Sequence, residues 1–293
     1  MAMKDWADFV VGQFIGGGAF FLGMALCLLG CFLKFLFSQS KIQSIARVTM
    51  LVGIVLVVLS ACPFSFWVYG VFFALLAWAA LRANTGLWRG KKTGGLLLLL
   101  LLAQSLLMMR AEVLHRTAPK IPFATSDTLF VIGDSLSIGA DSPGKNWPEL
   151  LGDLARLRVR NLSFGGAKVA SSLDSALNIN HDDVLVILEL GGNDLLGGTS
   201  VPKFRDDLEK MLGLICGPHR HVAMIELPLP PFYNRFGKVQ RELAKSHGVT
   251  LIPKRYLAKV ICTPGATVDG LHLSGAGHAL FAHALFEMLT QAQ

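Results

Sequence analysis

Acidic side chains are almost missing from the first 109 residues of this 293-residue chain. Only Asp5 and Asp8 occur there, against eight lysines and arginines. Three stretches lack charge altogether: Phe9 to Leu33, Val48 to Leu81 and Thr93 to Met109. Such runs exclude an ordinary water-facing surface for this half, because a bilayer span takes about 20 apolar residues. No Asp, Glu or His lies inside them, so no proton or ion pathway is suggested. The second half lacks something else, an excess of base. Residues 110–293 hold 19 lysines and arginines against 18 acids. Of the net charge of +7, +6 therefore belongs to the apolar half. A nucleic-acid partner, which needs a basic patch on the folded domain, is excluded. The first run is too long for a signal-peptide core and lacks a small-x-small cleavage site, so it reads as a retained helix.

What is there is a membrane region over residues 1–111. The first run fits one helix, near 9–36. The middle run is too long for one span, since its 34 residues would reach about 51 Å at about 1.5 Å each. Pro63 lacks an N–H and restricts its predecessor, which predicts two helices, near 48–62 and 65–83. A fourth is expected near 94–111. Lys34, Lys41 and Arg47 follow the first helix, and Arg82, Arg89, Lys91 and Lys92 follow the third. Basic residues favour the cytoplasmic side of a span. Four helices place both groups inside and the rest of the chain outside, whereas three would split them. Gly12 and Gly16, continued by Gly23, Cys27 and Cys31, set small residues at helical spacing. That is the pattern of close helix packing, with a lipid groove as the alternative.

Residues 112–127 read as a linker. Over 128–293, short apolar strands alternate with helical patterns. The strands are expected at 128–133, 159–164, 184–190, 221–228 and 249–253, and the helices near 146–157, 202–215, 235–247 and 275–291. This alternation indicates a parallel sheet covered on both faces, with ligands outside the carboxyl ends of the strands. Four short motifs sit just past strand ends or follow the last strand: Gly133-Asp134-Ser135, Gly165-Gly166, Gly191-Gly192-Asn193-Asp194 and Asp269-Gly270-Leu271-His272. A neutral serine needs an adjacent base. His272 can be that base and Asp269 can hold its tautomer. The N–H groups of Ser135 and Gly166, with the Asn193 amide, can stabilise an oxyanion.

GDSL at 133–136, NLSFGG at 161–166, GGND at 191–194 and DGLH at 269–272 resemble the four blocks of the SGNH/GDSL hydrolases, in order. The chain is most similar to the bacterial periplasmic thioesterase/lysophospholipase/arylesterase branch, although DGLHLS lacks the proline that often follows the histidine there. The resemblance implies an α/β fold, a flavodoxin-like three-layer α/β/α hydrolase domain with a parallel sheet, here preceded by four transmembrane helices. It implies cleavage of esters or thioesters through an acyl-enzyme, with no metal and no cofactor. By residue it implies Ser135 as nucleophile, His272 as base, Asp269 as its orienting acid, and Ser135, Gly166 and Asn193 as oxyanion donors. The serine sits in GxSxS rather than the GxSxG of a nucleophile elbow.

Asp134 is expected to brace its turn and Asp194 to fix the loop that presents Asn193. His278, His283 and Trp147 are expected to be packing or surface residues. His219 and His221 lack a third ligand for a metal. Residues 228–237 follow the fourth strand and are expected to shape the substrate site, with Phe232, Tyr233 and Phe236 as acyl or ring contacts. Cys216 and Cys262 fall at opposite edges of the sheet, roughly 17 Å apart. That exceeds the disulfide limit of about 7 Å, so both are expected to be free thiols. The sum is a multi-pass protein of the bacterial inner membrane with a periplasmic catalytic domain. It would be a serine ester hydrolase whose partners are the lipid bilayer and an ester-bearing lipid or envelope glycan. The alternatives are an acyltransferase with the same triad and a non-catalytic envelope-binding scaffold.

Overall fold

The computed structural model describes residues 2–84, 92–124, 128–139, 143–179 and 183–291. Five helices come first: α1 (Ala2–Ile15), α2 (Ala19–Leu36), α3 (Ser40–Leu59), α4 (Phe66–Asn84) and α5 (Lys92–Leu114). Ala19–Leu36, Ser40–Leu59 and Gly94–Leu114 are long and apolar enough to cross a membrane, and Phe66–Arg82 is a shorter apolar helix.

The single helix expected near 9–36 is two helices. Gly16-Gly17-Gly18 interrupts it, with Gly17 at φ +76°, a conformation that side chains strain to adopt. The hydropathy of the run does not change at this point, so the break was hidden in an apolar stretch. The consequence is that α1 lies on the second half of the chain. A Cβ at Gly12 would sit 3.3 Å from the Cβ of Cys262, and one at Gly16 would sit 3.5 Å from that of Ala258. Gly23 instead lets α2 approach α3 closely: a Cβ there would lie 2.8 Å from the carbonyl oxygen of Gly53 on α3. The break at Pro63 is where it was expected, between Leu59 and Phe66. Lys41 and Arg47, expected in a link, lie in the first turns of α3. The link with Arg89 and Lys91 falls outside the described residues.

The second half runs β1 (Ile121–Phe123), β2 (Thr128–Gly133), α6 (Ser135–Ile138), α7 (Trp147–Ala155), β3 (Arg158–Asn161), a 3₁₀ turn (Ala170–Ser172) and α8 (Leu173–Leu177). It continues with β4 (Val184–Glu189), α9 (Gly192–Leu196), α10 (Val201–Ile215), β5 (Arg220–Ile225), α11 (Asn234–His247) and β6 (Thr250–Ile252). It ends with α12 (Arg255–Ile261), α13 (Gly275–Phe286) and β7 (Leu289–Gln291). Five strands form one parallel sheet in the order β3-β2-β4-β5-β6. This is the doubly wound, flavodoxin-like order, whose winding reverses between the first and third strands, here β2 and β4.

The central strand β4 is buried along its whole length. Successive side chains of a strand point to opposite faces, and β4 feeds two cores in this way. Val184, Val186 and Leu188 pack with Phe204 and Met211 of α10 and Val239 of α11. Leu185 and Ile187 pack with Leu151 of α7, Leu257 of α12 and Phe281 of α13. The stretch read as a linker, 112–127, begins inside α5, and its β1 pairs in parallel with β7, Ile121 against Leu289. That pairing also explains why the last helix stops at Phe286 rather than near 291.

The two halves are packed on each other. The Ala61 N–H, in the α3–α4 turn, donates to the Phe14 carbonyl at 3.0 Å, and the Leu229 N–H donates to that of Ile15 at 3.4 Å. Asn234 donates to the Ser60 carbonyl at 3.1 Å and Arg116 to that of Gly16 at 2.6 Å. Four charges meet at the same junction: Glu112 of α5, Glu226 just after β5, Arg241 of α11 and Lys254 just before α12. Arg241 donates to Glu112 at 2.7 and 3.0 Å and to Glu226 at 2.7 Å. The Lys254 ammonium lies 3.4 Å from Glu112 and 3.3 Å from Glu226. Both acids are fully buried and both bases nearly so. Two acids against two bases leave the cluster neutral. Stripping water from it is offset only while every partner is present. Arg241→Ala leaves two buried carboxylates to Lys254 alone and is expected to cost about 3–5 kcal/mol. Thermal unfolding of the detergent-purified chain measures this, and a loss below about 1 kcal/mol contradicts it.

Candidate active site

β2 delivers Gly133 to the carboxyl rim of the sheet, and α6 begins almost at once. Asp134 caps α6: its Oδ1 accepts the Leu136 N–H at 3.0 Å. This occupies one of the N–H groups that a helix start leaves without a partner. The turn is so tight that a Cβ at Gly133 would lie 2.8 Å from that of Ser137. Ser135 is thereby placed at the first residue of α6, lining a cavity of about 240 Å³. One strand over, β4 ends and Gly191, at φ +113°, turns the chain into α9. Asn193 rides on that helix and lines the same cavity. Ser135 and Asn193 therefore flank the point where the winding reverses, the usual ligand crevice of such sheets.

His272 arrives on the loop between α12 and α13. Asp269 organises that loop by accepting the N–H groups of Leu271 at 2.9 Å and His272 at 2.7 Å on Oδ1. Its Oδ2 lies 2.6 Å from His272 Nδ1, and His272 Nε2 lies 3.1 Å from the Ser135 hydroxyl. The hydrogen bond from the imidazole, followed by those two backbone donors, holds the Asp269 carboxyl well below the usual carboxylate range. An ionised Asp269 selects the tautomer with its proton on Nδ1, which leaves the Nε2 lone pair facing the hydroxyl. Ser135, His272 and Asp269, expected together from the sequence, form one hydrogen-bonded chain.

The expected oxyanion donors are placed less simply. The Asn193 amide donates to Asp134 Oδ2 at 2.9 Å and to the Ala167 carbonyl at 3.2 Å. Both of its N–H groups therefore already hold acceptors, and an oxyanion would compete with the longer bond. Gly166, exposed in the turn after β3, has φ +72° and immediately precedes the Ala167 that Asn193 grips. Asp194 behaves as expected. Its Oδ2 accepts the Val169 N–H at 2.9 Å, tying the Gly166 loop to α9. Burial raises its pKa, opposed by that bond.

Glu189 escaped the sequence reading. It ends β4, fully buried, and its Oε2 accepts the Ser137 hydroxyl at 2.8 Å and the Asp134 N–H at 3.3 Å. Burial first, and the neighbouring Asp134 carboxylate second, push its pKa well above the carboxylate range. Burial raises Asp134 too, opposed by its bond from Leu136. The available signal was a lone acid in the apolar strand VLVILEL.

The three aromatics expected to contact substrate are not brought to Ser135. Phe236 falls on the buried face of α11, its ring 4.9 Å from that of Phe204. Phe232 is exposed and lines a separate cavity of about 630 Å³, at the junction with α4. Tyr233 is exposed and is absent from the lining of the Ser135 cavity. The reason is that α11 starts at Asn234, which turns the residues around it inward or away. Pro228 and Pro230 of the same loop do line the Ser135 cavity. His278 is a packing residue, its Nδ1 accepting the Trp147 N–H at 3.2 Å. Trp147 is buried edge-on against Phe281. Cys216 and Cys262 are free thiols.

Residues 131–280 match the GDSL-like lipase/acylhydrolase family. An arylesterase of Vibrio mimicus is 34% identical over 161 residues, covering 50% of this chain and 80% of the relative. Thioesterase 1/protease 1/lysophospholipase L1 of Escherichia coli K12 is 32% identical over 160 residues, covering 51% and 76%. Among solved structures, TesA superimposes with a TM-score of 0.50 at 28% identity, over 55% of this chain and 97% of that one. The esterase EstA of a Pseudoalteromonas species shares the fold, with a TM-score of 0.51 at 20% identity over 56% and 96%.

The Glu189 pocket yields a prediction. Glu189→Ala strands the Ser137 hydroxyl and the Asp134 N–H and is expected to cost about 2–4 kcal/mol, whereas the neutral isostere Glu189→Gln costs less than about 1.5 kcal/mol. A pKa raised on folding gives stability that is complete below the ordinary glutamate range, about 4.3. That stability drains away as pH rises towards the folded value. Glu189→Gln should therefore flatten the stability-versus-pH curve above that range. Unfolding scans at several pH values test this, and a slope unchanged by the substitution speaks against a protonated Glu189.

Proposed function

Because the chain belongs to the GDSL-like lipase/acylhydrolase family and is a serine ester hydrolase, we propose that it works from the bacterial inner membrane. Four helices, α2 to α5, anchor it, and the catalytic domain faces the periplasm. The observation that carries the chemistry is the run of contacts from Asp269 through His272 to Ser135, at 2.6 and 3.1 Å, at the edge of a cavity. Ser135 Oγ attacks the acyl carbonyl while His272 Nε2 takes its proton. Asp269 stabilises the resulting imidazolium. The Ser135 and Gly166 N–H groups and Asn193 receive the oxyanion. Collapse expels the alcohol or thiol, which takes the proton back from His272. Water, deprotonated by the same imidazole, then releases the acid and restores Ser135.

Charge placement supports the sidedness. The α1–α2 junction, the α3–α4 turn and the end of α5 all touch the hydrolase half through Gly16, Ser60 and Glu112. The opposite ends of the helices carry Lys34, Lys41, Arg47 and Arg82, the side that stays cytoplasmic. The substrate is an ester or thioester borne by a lipid or an envelope glycan.

Ser135→Ala is expected to abolish fluorophosphonate labelling and to lower p-nitrophenyl ester hydrolysis by at least about 10³-fold. Asn193→Ala is expected to lower turnover about 10²–10³-fold, and Asp269→Asn about 10⁴-fold. Undiminished labelling of Ser135→Ala contradicts the nucleophile, and acyl groups accumulating on an acceptor instead of free acid would mark a transferase. In spheroplasts, a membrane-impermeant fluorophosphonate should label the protein from outside. Labelling only after lysis would reverse the orientation.

A further inference from the structure

The cavity at Ser135 has a wall that the hydrolase half does not supply. Leu136 of α6, Leu195 and Leu196 of α9, Leu227 from the loop after β5, Leu257 and Ile261 of α12, and Leu271 give it an aliphatic lining. Apart from these, glycine and proline, its charged or polar lining is Asp134, Ser135, Glu189 and Asn193. Ile15, the last residue of α1, completes the lining. It lies far ahead of residue 131, where the family match begins.

Ile15 is held in place from several directions. Its carbonyl accepts the Leu229 N–H at 3.4 Å, and that of Phe14 accepts the Ala61 N–H at 3.0 Å. The Gly16 carbonyl accepts from Arg116 at 2.6 Å, whose own carbonyl accepts from Arg255 at 2.6 Å. Gly12 and Gly16 seat α1 directly on α12, the helix that contributes Leu257 and Ile261. The glycine break at 16–18 frees Ile15 from the membrane bundle while α2 resumes at Ala19.

Aliphatic walls beside a nucleophile suit methylenes and penalise hydroxyls, which lose hydrogen bonds to water without finding new ones. We infer that Ile15, from the membrane half, closes the cavity that receives the acyl chain and sets the chain length it accepts. The substrate is then an ester or thioester of an aliphatic acid longer than acetate. This deepens the Ser135 reading and rests on it. By the usual transfer free energy, each methylene that fits raises kcat/KM about fourfold.

The test uses the full chain in detergent and p-nitrophenyl esters from acetate to laurate. The wild type is expected to favour octanoate over acetate by at least about tenfold in kcat/KM, the burial of about two methylenes. Ile15→Trp fills the cavity and should lower that octanoate-to-acetate ratio at least about tenfold. Ile15→Ala enlarges it and should move the preferred ester to a longer chain. Should the tryptophan variant fail to fold, the alanine variant decides alone. A wild type that prefers acetate, or a chain-length profile that neither substitution moves, overturns the subsite. A wild type that hydrolyses no ester and takes no fluorophosphonate at Ser135 overturns the esterase reading instead.

Discussion

The neutral cluster of Glu112, Glu226, Arg241 and Lys254 is the constraint on which the rest of the molecule depends. Each acid is buried, so neither survives without both bases near it. Glu112 comes from the end of α5, Glu226 immediately follows β5, Arg241 lies on α11, and Lys254 immediately precedes α12. One set of ion pairs therefore fixes an apolar helix long enough to span a membrane against the end of a strand and two helices of the hydrolase half. α12 in turn carries two walls of the Ser135 cavity and the seat for α1. The apolar helices are thus part of the enzyme's architecture and not a detachable tether.

Ser135, Asn193 and His272 obey a second constraint, the winding of the parallel sheet. Because all five strands run parallel, the loop after each strand falls on the same carboxyl rim of the sheet, and right-handed crossovers send the helices to its two faces. The reversal between β2 and β4 opens a crevice between two of those loops. Ser135 and Asn193 flank that crevice, and Asp134 joins them by capping α6 with one carboxylate oxygen and accepting Asn193 with the other. Glu189 underlies all three. Its burial and the neighbouring Asp134 push its pKa up, while its Oε2 supports the turn through the Ser137 hydroxyl and the Asp134 N–H. His272 belongs to neither strand end but is brought in by a loop that Asp269 ties to itself.

Much of this was legible in the chain because it depends on local chemistry. Strand ends followed by glycine turns, an acid before a serine and an acid three residues before a histidine each declare a short-range structure. Pro63 declared its turn for the same reason. Three features were not legible. Gly16-Gly17-Gly18 breaks a helix without any change in hydropathy, so the run read as continuous. Phe232, Tyr233 and Phe236 follow a strand end and looked like a rim, yet Phe236, Val239 and Leu243 recur at helical spacing and mark a buried face of α11. Ile15 carries no local sign of its place, since its role exists only once α1 has docked on α12.

A double-mutant cycle between Glu112 and Arg241, read by unfolding of the full chain in detergent, tests most directly whether the two halves are one cooperative body. Contact through a buried ion pair predicts that Glu112→Ala and Arg241→Ala together cost about 1–3 kcal/mol less than the sum of the two single losses. Additivity within about 0.5 kcal/mol would mean that the apolar helices and the hydrolase half hold together, if they do, without this cluster.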